Sequence, residues 1–184
     1  SVNCSTFSAS FSKYATAYKV GSSVQKNARP HVKKKKILKL DIEGFFDNII
    51  YSKVKDIVFY EEKYSEPIRI LLTMLCYYRE SLPQGAPTSP AITNIMMYDF
   101  DERIGAYCSE RGIAYTRYCD DMTFSGAFDE KEVIAVVKAE LQKLGLFLKN
   151  RKTAIINNTK RQTVTGIVVN EKVNLTKEYK KKIR

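Results

Sequence analysis

The spacing of apolar residues divides the chain into short strands and amphipathic helices. Alternation of apolar and polar positions predicts a strand at 37–42 and two more at 113–118 and 122–125. Apolar residues at helical spacing predict four longer helices, and short apolar runs later in the chain predict further strands. The predicted helices cover 51–62, 66–78, 88–111 and 129–144, a last helix begins near Thr176, and the late strands lie at 154–156 and 164–169.

The order of these elements, β-α-α-β-β-α-β, predicts an α+β fold. It resembles the split β-α-β plan, in which an antiparallel sheet is backed by helices. A loop is predicted at 81–90, where three prolines and Gly85 interrupt the helical pattern. With 184 residues, 44% of them hydrophobic, the chain is long enough for one compact domain or two small lobes.

Charge is distributed in three blocks along the chain. Residues 1–40 hold nine Lys or Arg and no acidic residue, whereas residues 41–148 hold eleven basic and eighteen acidic residues. Residues 149–184 hold eleven basic and two acidic residues, so the net charge of +11 comes from two basic flanks. Basic flanks favour a polyanion and an acidic centre attracts cations, a distribution typical of nucleic-acid chemistry.

Composition also argues against several other classes of protein. No stretch approaches the roughly 20 apolar residues that span a bilayer, and no charged-then-apolar leader opens the chain, so membrane and secreted proteins are poor interpretations. The four cysteines form no C-x-x-C pair, and with the single His31 they do not make a convincing zinc site. We therefore expect reduced thiols in a cytoplasmic protein. A start at Ser1 rather than Met predicts a piece of a longer protein.

Three aspartates are the candidate metal ligands. Asp41 ends the first predicted strand, and Asp120, 79 residues further on, lies with Asp121 at the turn between two others. In the split plan the first strand can lie beside this hairpin, which would bring the three carboxylates to one edge of the sheet. Such carboxylates repel one another unless cations offset them, and Mg²⁺ prefers these oxygen ligands. Two such ions about 4 Å apart, with Mn²⁺ as a substitute, would support phosphoryl transfer.

Four motifs around these aspartates resemble those of reverse transcriptases. Residues 40–49 (LDIEGFFDNI) resemble the first catalytic motif, and residues 82–90 (LPQGAPTSP) resemble the loop that positions template and nucleotide. Residues 118–121 (YCDD) match the Tyr-x-Asp-Asp signature, and residues 145–153 (GLFLKNRKT) resemble the motif with a lysine near the triphosphate. The resemblance runs from about Tyr14 onward and implies a reverse-transcriptase palm, with RNA template, primer and dNTPs as partners and no membrane.

Two shorter elements resemble the retron branch of that family. Residues 27–31 (NARPH) resemble an Asn-Ala-x-x-His element, and residues 164–166 (VTG) resemble a Val-Thr-Gly element. Retron enzymes copy a structured partner RNA and prime from a 2′-hydroxyl within it. The resemblance implies RNA contacts for Asn27, His31 and Thr165, although a structural cap at His31 and an ordinary hairpin around Thr165 explain the same residues.

The resemblance also implies roles for the catalytic residues. Asp41 and Asp120 would bridge two metal ions, with the Ile42 carbonyl as a further ligand and Asp121 as a nearby acid or weaker ligand. Lys152 would protonate the departing pyrophosphate, and the alternative is a solvated lysine.

Contacts with the substrates are implied for five further residues. Phe46, Gln84 and Gly85 are assigned to the nucleotide, and Tyr118 and Pro83 to the primer and template. A ring at Phe46 would collide with a 2′-hydroxyl and so select deoxynucleotides, whereas Phe45 on the opposite side of a strand would fill the core. Core packing for Phe46, a loop hydrogen bond for Gln84 and hairpin filling for Tyr118 are the alternatives.

Other functions share parts of this pattern. A group II intron or defence-associated reverse transcriptase would keep the polymerase motifs, but the elements at 27–31 and 164–166 count against it. A non-catalytic RNA-binding palm would not need three repelling acids, and a nucleotidyl cyclase would not need the loop at 82–90. The resemblance further implies partial fingers at 1–36, the palm at 37–170, and the palm end with the start of a thumb at 171–184. The chain alone is therefore expected to polymerise poorly.

Overall fold

A computed structural model describes residues 11–175 of the chain as six helices and seven strands. The helices are α1 (Val24–Ala28), α2 (Tyr51–Ile57), α3 (Glu66–Cys76), α4 (Ser89–Met96), α5 (Tyr98–Glu110) and α6 (Glu130–Lys143). The strands are β1 (Lys36–Asp41), β2 (Ala114–Tyr118), β3 (Asp121–Gly126), β4 (Ala154–Asn157), β5 (Thr163–Val164), β6 (Ile167–Val168) and β7 (Asn174–Leu175). Two short 3-10 helices cover Arg29–His31 and Asn150–Lys152. The helix predicted from Thr176 lies outside the described residues.

A four-stranded antiparallel sheet with the order β2-β3-β1-β4 forms the centre of the fold. β1 pairs with β3 from Lys36 opposite Gly126 to Asp41 opposite Asp121, and its other edge pairs with β4. Leu38 and Leu40 face the main core and Ile37 faces a second one, so a slip of one residue would exchange the two faces of β1. The first strand therefore lies beside the central hairpin, as the sequence predicts for an α+β fold.

The main core lies between this sheet and the helices. Leu38 and Leu40 of β1 are buried with Phe124 of β3, Ile104 of α5 and Val137 of α6. Each such side chain stabilises the fold by roughly 1.5–3 kcal/mol through its removal from water. Among the helices described between residues 11 and 175, none has the length and apolar character needed to cross a membrane.

A second, smaller sheet has the order β5-β6-β7 and packs against α1. Its core contains Ala28 of α1, Ile37 of β1, and the buried residues Val164, Ile167 and Val169. Through this small core, residues 27–31 lie beside residues 164–166. The hydrogen bond between Asn27 and Thr165, for example, joins residues 138 positions apart along the chain.

The prediction of one long helix at 88–111 is wrong, because the chain forms two helices that meet at Met97. Met97 has φ −85° and ψ 2°, outside the helical region, and so ends α4 just before α5 begins. Met96 of α4 and Phe100 of α5 are both buried in the main core. The helices predicted at 51–62 and 66–78 are also shorter, ending at Ile57 and Cys76.

Candidate active site

The ends of β1 and of the β2–β3 hairpin form part of an open cleft of about 520 Å³. Because β1 and β3 pair in register, Asp41 stands opposite Asp121. The Ile42 N–H donates to the Asp120 carbonyl at 3.2 Å, which ties the end of β1 to the turn. Asp41, Ile42, Asp120 and Asp121 therefore line the same cleft, at the sheet edge that the sequence predicts.

The turn that carries Asp120 is a tight hairpin with an unfavourable backbone conformation. Tyr118 pairs with Asp121, which leaves Cys119 and Asp120 as a two-residue loop. Such loops require a positive φ, and Cys119 supplies it with φ 60°, a conformation that costs a residue other than glycine on the order of 1 kcal/mol. Burial, together with the smaller effect of the Asp120 charge, raises the pKa of the Cys119 thiol to about 11. The thiol is therefore protonated and unreactive at neutral pH.

Asp41 is held at the base of the cleft by contacts from the segment that follows α6. Its side chain is only 5% exposed, and its Oδ2 accepts a hydrogen bond from Lys152 Nζ at 2.5 Å. The Lys149 N–H donates to the Asp41 carbonyl at 2.8 Å. The hydrogen bond to Asp41 raises the pKa of the exposed Lys152 ammonium, so Lys152 stays charged beside the carboxylates.

Negative charge accumulates in the cleft. Desolvation by the cleft walls raises the pKa of the Asp121 carboxyl, and the carboxylates of Asp120 and Asp41 raise it further. Hard carboxylate oxygens with this excess of negative charge are a donor set that suits a divalent cation. Among the described residues, no three His, Cys or acidic side chains are grouped closely enough to hold a metal ion as they are placed, and Lys152 occupies an oxygen of Asp41.

Phe46 and Gln84 both line the cleft. Residues 43–48 form turns rather than a strand, so the alternation expected for Phe45 and Phe46 does not apply. Phe45 is nevertheless 4% exposed in the core, and the half-buried Phe46 packs against it with ring centroids 5.5 Å apart. The Phe46 carbonyl accepts the Leu82 N–H at 3.4 Å, which fixes the loop carrying Gln84 beside the cleft.

The other residues assigned to substrates lie near the cleft to different extents. Tyr118 lines it, whereas Pro83 and Gly85 lie in the adjoining loop and outside its lining. The Pro83 carbonyl accepts the Ser89 hydroxyl at 2.8 Å, which anchors the loop to the start of α4. Gly85 has φ +88° and open space around it, a backbone conformation that favours glycine.

The residues assigned to RNA belong to a polar network at the junction of the two sheets, in which Asn27 and His31 are buried and Thr165 is half-buried. His31 is fully buried, and its Nδ1 and Nε2 lie 2.7 Å from Ser125 Oγ and 2.8 Å from Thr116 Oγ1. Asn27 is 1% exposed and donates through Nδ2 to Thr165 Oγ1 at 3.2 Å. This burial favours the structural role that the sequence leaves open for His31, and it extends that role to Asn27.

The structure places further residues at the site to which the sequence motifs assign no role. Tyr18 and Lys149 line the cleft, yet the sequence around Tyr18 carries no motif that marks it. Arg117 and Asp101 form a fully buried ion pair at 2.6 Å beneath the hairpin. An arginine within a strand, directly before the YCDD motif, is the available signal for this pair, because arginine is almost never fully buried without a partner.

Comparison with known proteins establishes the class of the molecule. A sequence profile described as reverse transcriptase (RNA-dependent DNA polymerase) matches residues 3–169. The chain therefore belongs to the reverse transcriptase family.

Its curated relatives include the retron Ec86 reverse transcriptase of Escherichia coli, which is 37% identical over 182 residues, covering 95% of this chain and 55% of the relative. The retron Mx65 reverse transcriptase of Myxococcus xanthus is 30% identical over 195 residues, covering 94% of this chain and 45% of the relative. The predicted resemblance to retron-type enzymes is thus confirmed, and the chain spans about half the length of these relatives.

Solved structures show the same fold. Apo telomerase from Candida tropicalis, truncated from the C-terminal domain, aligns with a TM-score of 0.57 and 17% identity over 77% of this chain and 35% of that chain. Telomerase from Candida albicans in complex with a fragment of telomeric RNA aligns with a TM-score of 0.57 and 13% identity, covering 77% of this chain and 31% of that chain. At this identity the likeness shows the palm-type α+β fold alone.

Proposed function

We propose that the chain is the catalytic palm of a retron-type RNA-directed DNA polymerase, which extends a primer with deoxynucleotides on a structured RNA template. The observation that carries this proposal is the single cleft lined by Asp41, Asp120 and Asp121 together with Phe46 and Gln84. The division into partial fingers at 1–36, palm at 37–170, and palm end with the start of a thumb at 171–184 belongs to the same proposal. A cytoplasmic location is also part of this proposal.

Reverse transcriptases in general use divalent metal ions, and we propose two Mg²⁺ ions here, with Mn²⁺ as a substitute. Asp41, Asp120 and the Ile42 carbonyl would hold them, with Asp121 as a nearby acid or weaker ligand. When bound, such ions activate the attacking hydroxyl and stabilise the leaving oxygen in phosphoryl transfer. The raised pKa of the Asp121 carboxyl supports this assignment in part: burial is the main cause, but the charges of Asp120 and Asp41 add to it, and a cation would relieve that repulsion.

The other side chains of the cleft bind and orient the substrates. The Lys152 ammonium carries a proton at the cleft and would donate it to the departing pyrophosphate. The Phe46 ring would stand beneath the nucleotide sugar and exclude a 2′-hydroxyl by collision. The exposed Gln84 amide would bind the nucleotide or template, with Gly85 and Pro83 shaping its loop and Tyr118 packing near the primer end.

A second cleft supports the proposed RNA partner. Lys13, Lys19 and Lys26 line a cleft of about 560 Å³ together with Tyr14 and Tyr115. In the described part of the chain these three lysines form no ion pair, so their charges stay available for phosphates. Binding of RNA there would release counterions and weaken as salt rises.

The test measures primer extension and RNA binding in parallel on the full-length protein. Asp120→Asn removes a proposed metal ligand and no basic contact, so it should abolish extension on an RNA template while filter binding of the RNA is unchanged. Asp129→Asn is the matched control, because Asp129 caps α6 away from the cleft and Asn caps a helix equally well. Extension that survives Asp120→Asn contradicts the two-metal assignment. RNA binding by the wild type without metal-dependent extension would instead indicate a non-catalytic palm.

A further inference from the structure

Arg117 is a charged side chain in the interior, and its ion pair alone does not explain its presence. It is fully buried in β2, and its Nε and Nη2 donate to the two carboxylate oxygens of Asp101 at 2.6–3.1 Å. The Tyr115 hydroxyl donates to the same carboxylate at 2.8 Å. Replacing a buried ion pair by apolar residues is often neutral for stability, so such a pair is weak evidence of a stabilising role.

The remaining nitrogen of this guanidinium reaches the turn that carries Asp120. Arg117 Nη1 donates to the Cys119 carbonyl at 2.9 Å. That carbonyl belongs to the same planar peptide unit as the Asp120 N–H, so the hydrogen bond sets the plane from which Asp120 departs. Cys119 has φ 60°, and an unfavourable conformation of this kind persists only where the surroundings hold it.

The same guanidinium is also connected to the segment that precedes Tyr18, a residue of the cleft lining. Arg117 Nη2 donates to Asn94 Oδ1 at 3.2 Å, and Asn94 Nδ2 donates to the Ala17 carbonyl at 3.0 Å. Ala17 is followed by Tyr18, which has φ 56° and lines the cleft. One cation therefore connects α4, α5, the turn and the segment that carries Tyr18.

We propose that Arg117 is a positioning residue, which fixes the peptide plane before Asp120 and so the separation of its carboxylate from that of Asp41. The proposal rests on the proposed function, in that the separation matters for holding divalent ions. Loss of a group that orients a metal ligand typically weakens metal binding by about 10- to 100-fold.

The experiment compares Arg117→Lys with wild type in the full-length protein. Lysine keeps the positive charge beside Asp101 but lacks the fork that reaches Asp101, Asn94 and the Cys119 carbonyl together. We expect the Mn²⁺ dissociation constant, measured by calorimetry, to rise about 10- to 100-fold. We also expect faster hydrogen exchange of the Ile42 amide, which donates to the Asp120 carbonyl, relative to amides of α6.

Arg69→Lys is the matched control. Arg69 is also buried, and it donates hydrogen bonds to Asp56 of α2, to Glu66 of α3 and to the Phe59 carbonyl between these helices, away from the turn. It should leave both the Mn²⁺ affinity and the exchange of Ile42 unchanged. If Arg117→Lys does not fold, the paired replacement Asp101→Leu with Arg117→Met removes the buried charges together and should show the same two effects.

The outcomes separate this proposal from the proposed function. A folded Arg117 variant with wild-type Mn²⁺ affinity and wild-type Ile42 exchange overturns the positioning role. Failure of the wild type itself to bind Mn²⁺ overturns the proposed metal chemistry, whereas the Ile42 exchange then still reports whether Arg117 fixes the turn. Equal effects from Arg69→Lys would show a general loss of stability and would also overturn the positioning role.

Discussion

Acidification is expected to destabilise the protein through one side chain, His31. Its imidazole is fully buried between Ser125 Oγ and Thr116 Oγ1 and joins the first segment to the β2–β3 hairpin. Burial, together with the smaller effect of the Lys34 charge, lowers the pKa of His31 to about 3. The folded protein therefore keeps this ring neutral under conditions in which an exposed histidine is protonated.

The sign and size of the effect follow from the difference between the folded and unfolded pKa values. Well above pH 6.5 the ring is neutral in both the folded and the unfolded state, so His31 makes no contribution to the pH dependence of stability. As the pH falls from 6.5 towards 3, only the unfolded state gains a proton, so the free energy of unfolding falls by about 1.4 kcal/mol per pH unit. At pH 4.5 the loss through this ring is about 3 kcal/mol, which is a large part of the roughly 5–15 kcal/mol typical of a domain.

His31 is the only histidine in the chain, so its ring gives one resolved signal in NMR. The chemical shift of its Hε1 proton should not titrate between pH 7.5 and 4.5 in the folded protein, while the urea-unfolded chain should show a pKa near the ordinary value of about 6.5. The free energy of unfolding of His31→Gln, measured in urea, should lack the part of its pH dependence that this ring contributes in the wild type. A folded-state midpoint near 6.5, or identical pH dependence in the variant, would refute the reasoning.

Three further predictions concern packing and the proposed chemistry. Gly105→Ala should lower the free energy of unfolding, measured in urea, by about 1–3 kcal/mol, because the added Cβ would stand 1.9 Å from Tyr14 Cε2. Adding Tyr14→Ala should remove part of that cost, and fully additive effects of the two substitutions would contradict the clash. Phe46→Ala in the full-length protein should admit ribonucleotides in primer extension, and unchanged discrimination would make Phe46 a packing residue only. Lys152→Met should slow single-turnover extension about 100-fold, because it removes the proposed proton donor. Mn²⁺ binding should persist, because the substitution frees an oxygen of Asp41. An unchanged rate would indicate that Lys152 is only a solvated lysine.

The local features of the fold could be predicted because they depend on neighbours in sequence. The alternation of β1 and the YCDD turn place Asp41 at a strand end and Asp120 in a hairpin loop, and the structure has both there. Helix ends were harder to predict, since α4 and α5 separate at Met97 without a proline or glycine to mark the break. Packing against a shared core decides that break, and it leaves no periodic signal.

The family resemblance, the three aspartates and the elements that carry them can be recognised from the order of residues along the chain. The burial of Asn27 and His31, and the connection that Arg117 makes between the turn and the segment before Tyr18, depend on how the chain folds. His31 contacts Ser125 across 94 positions, and Lys152 contacts Asp41 across 111. Local spacing indicates which face of an element is apolar, but partners this far apart are chosen by strand pairing and by the need to satisfy buried polar groups, which exist only once the chain has folded.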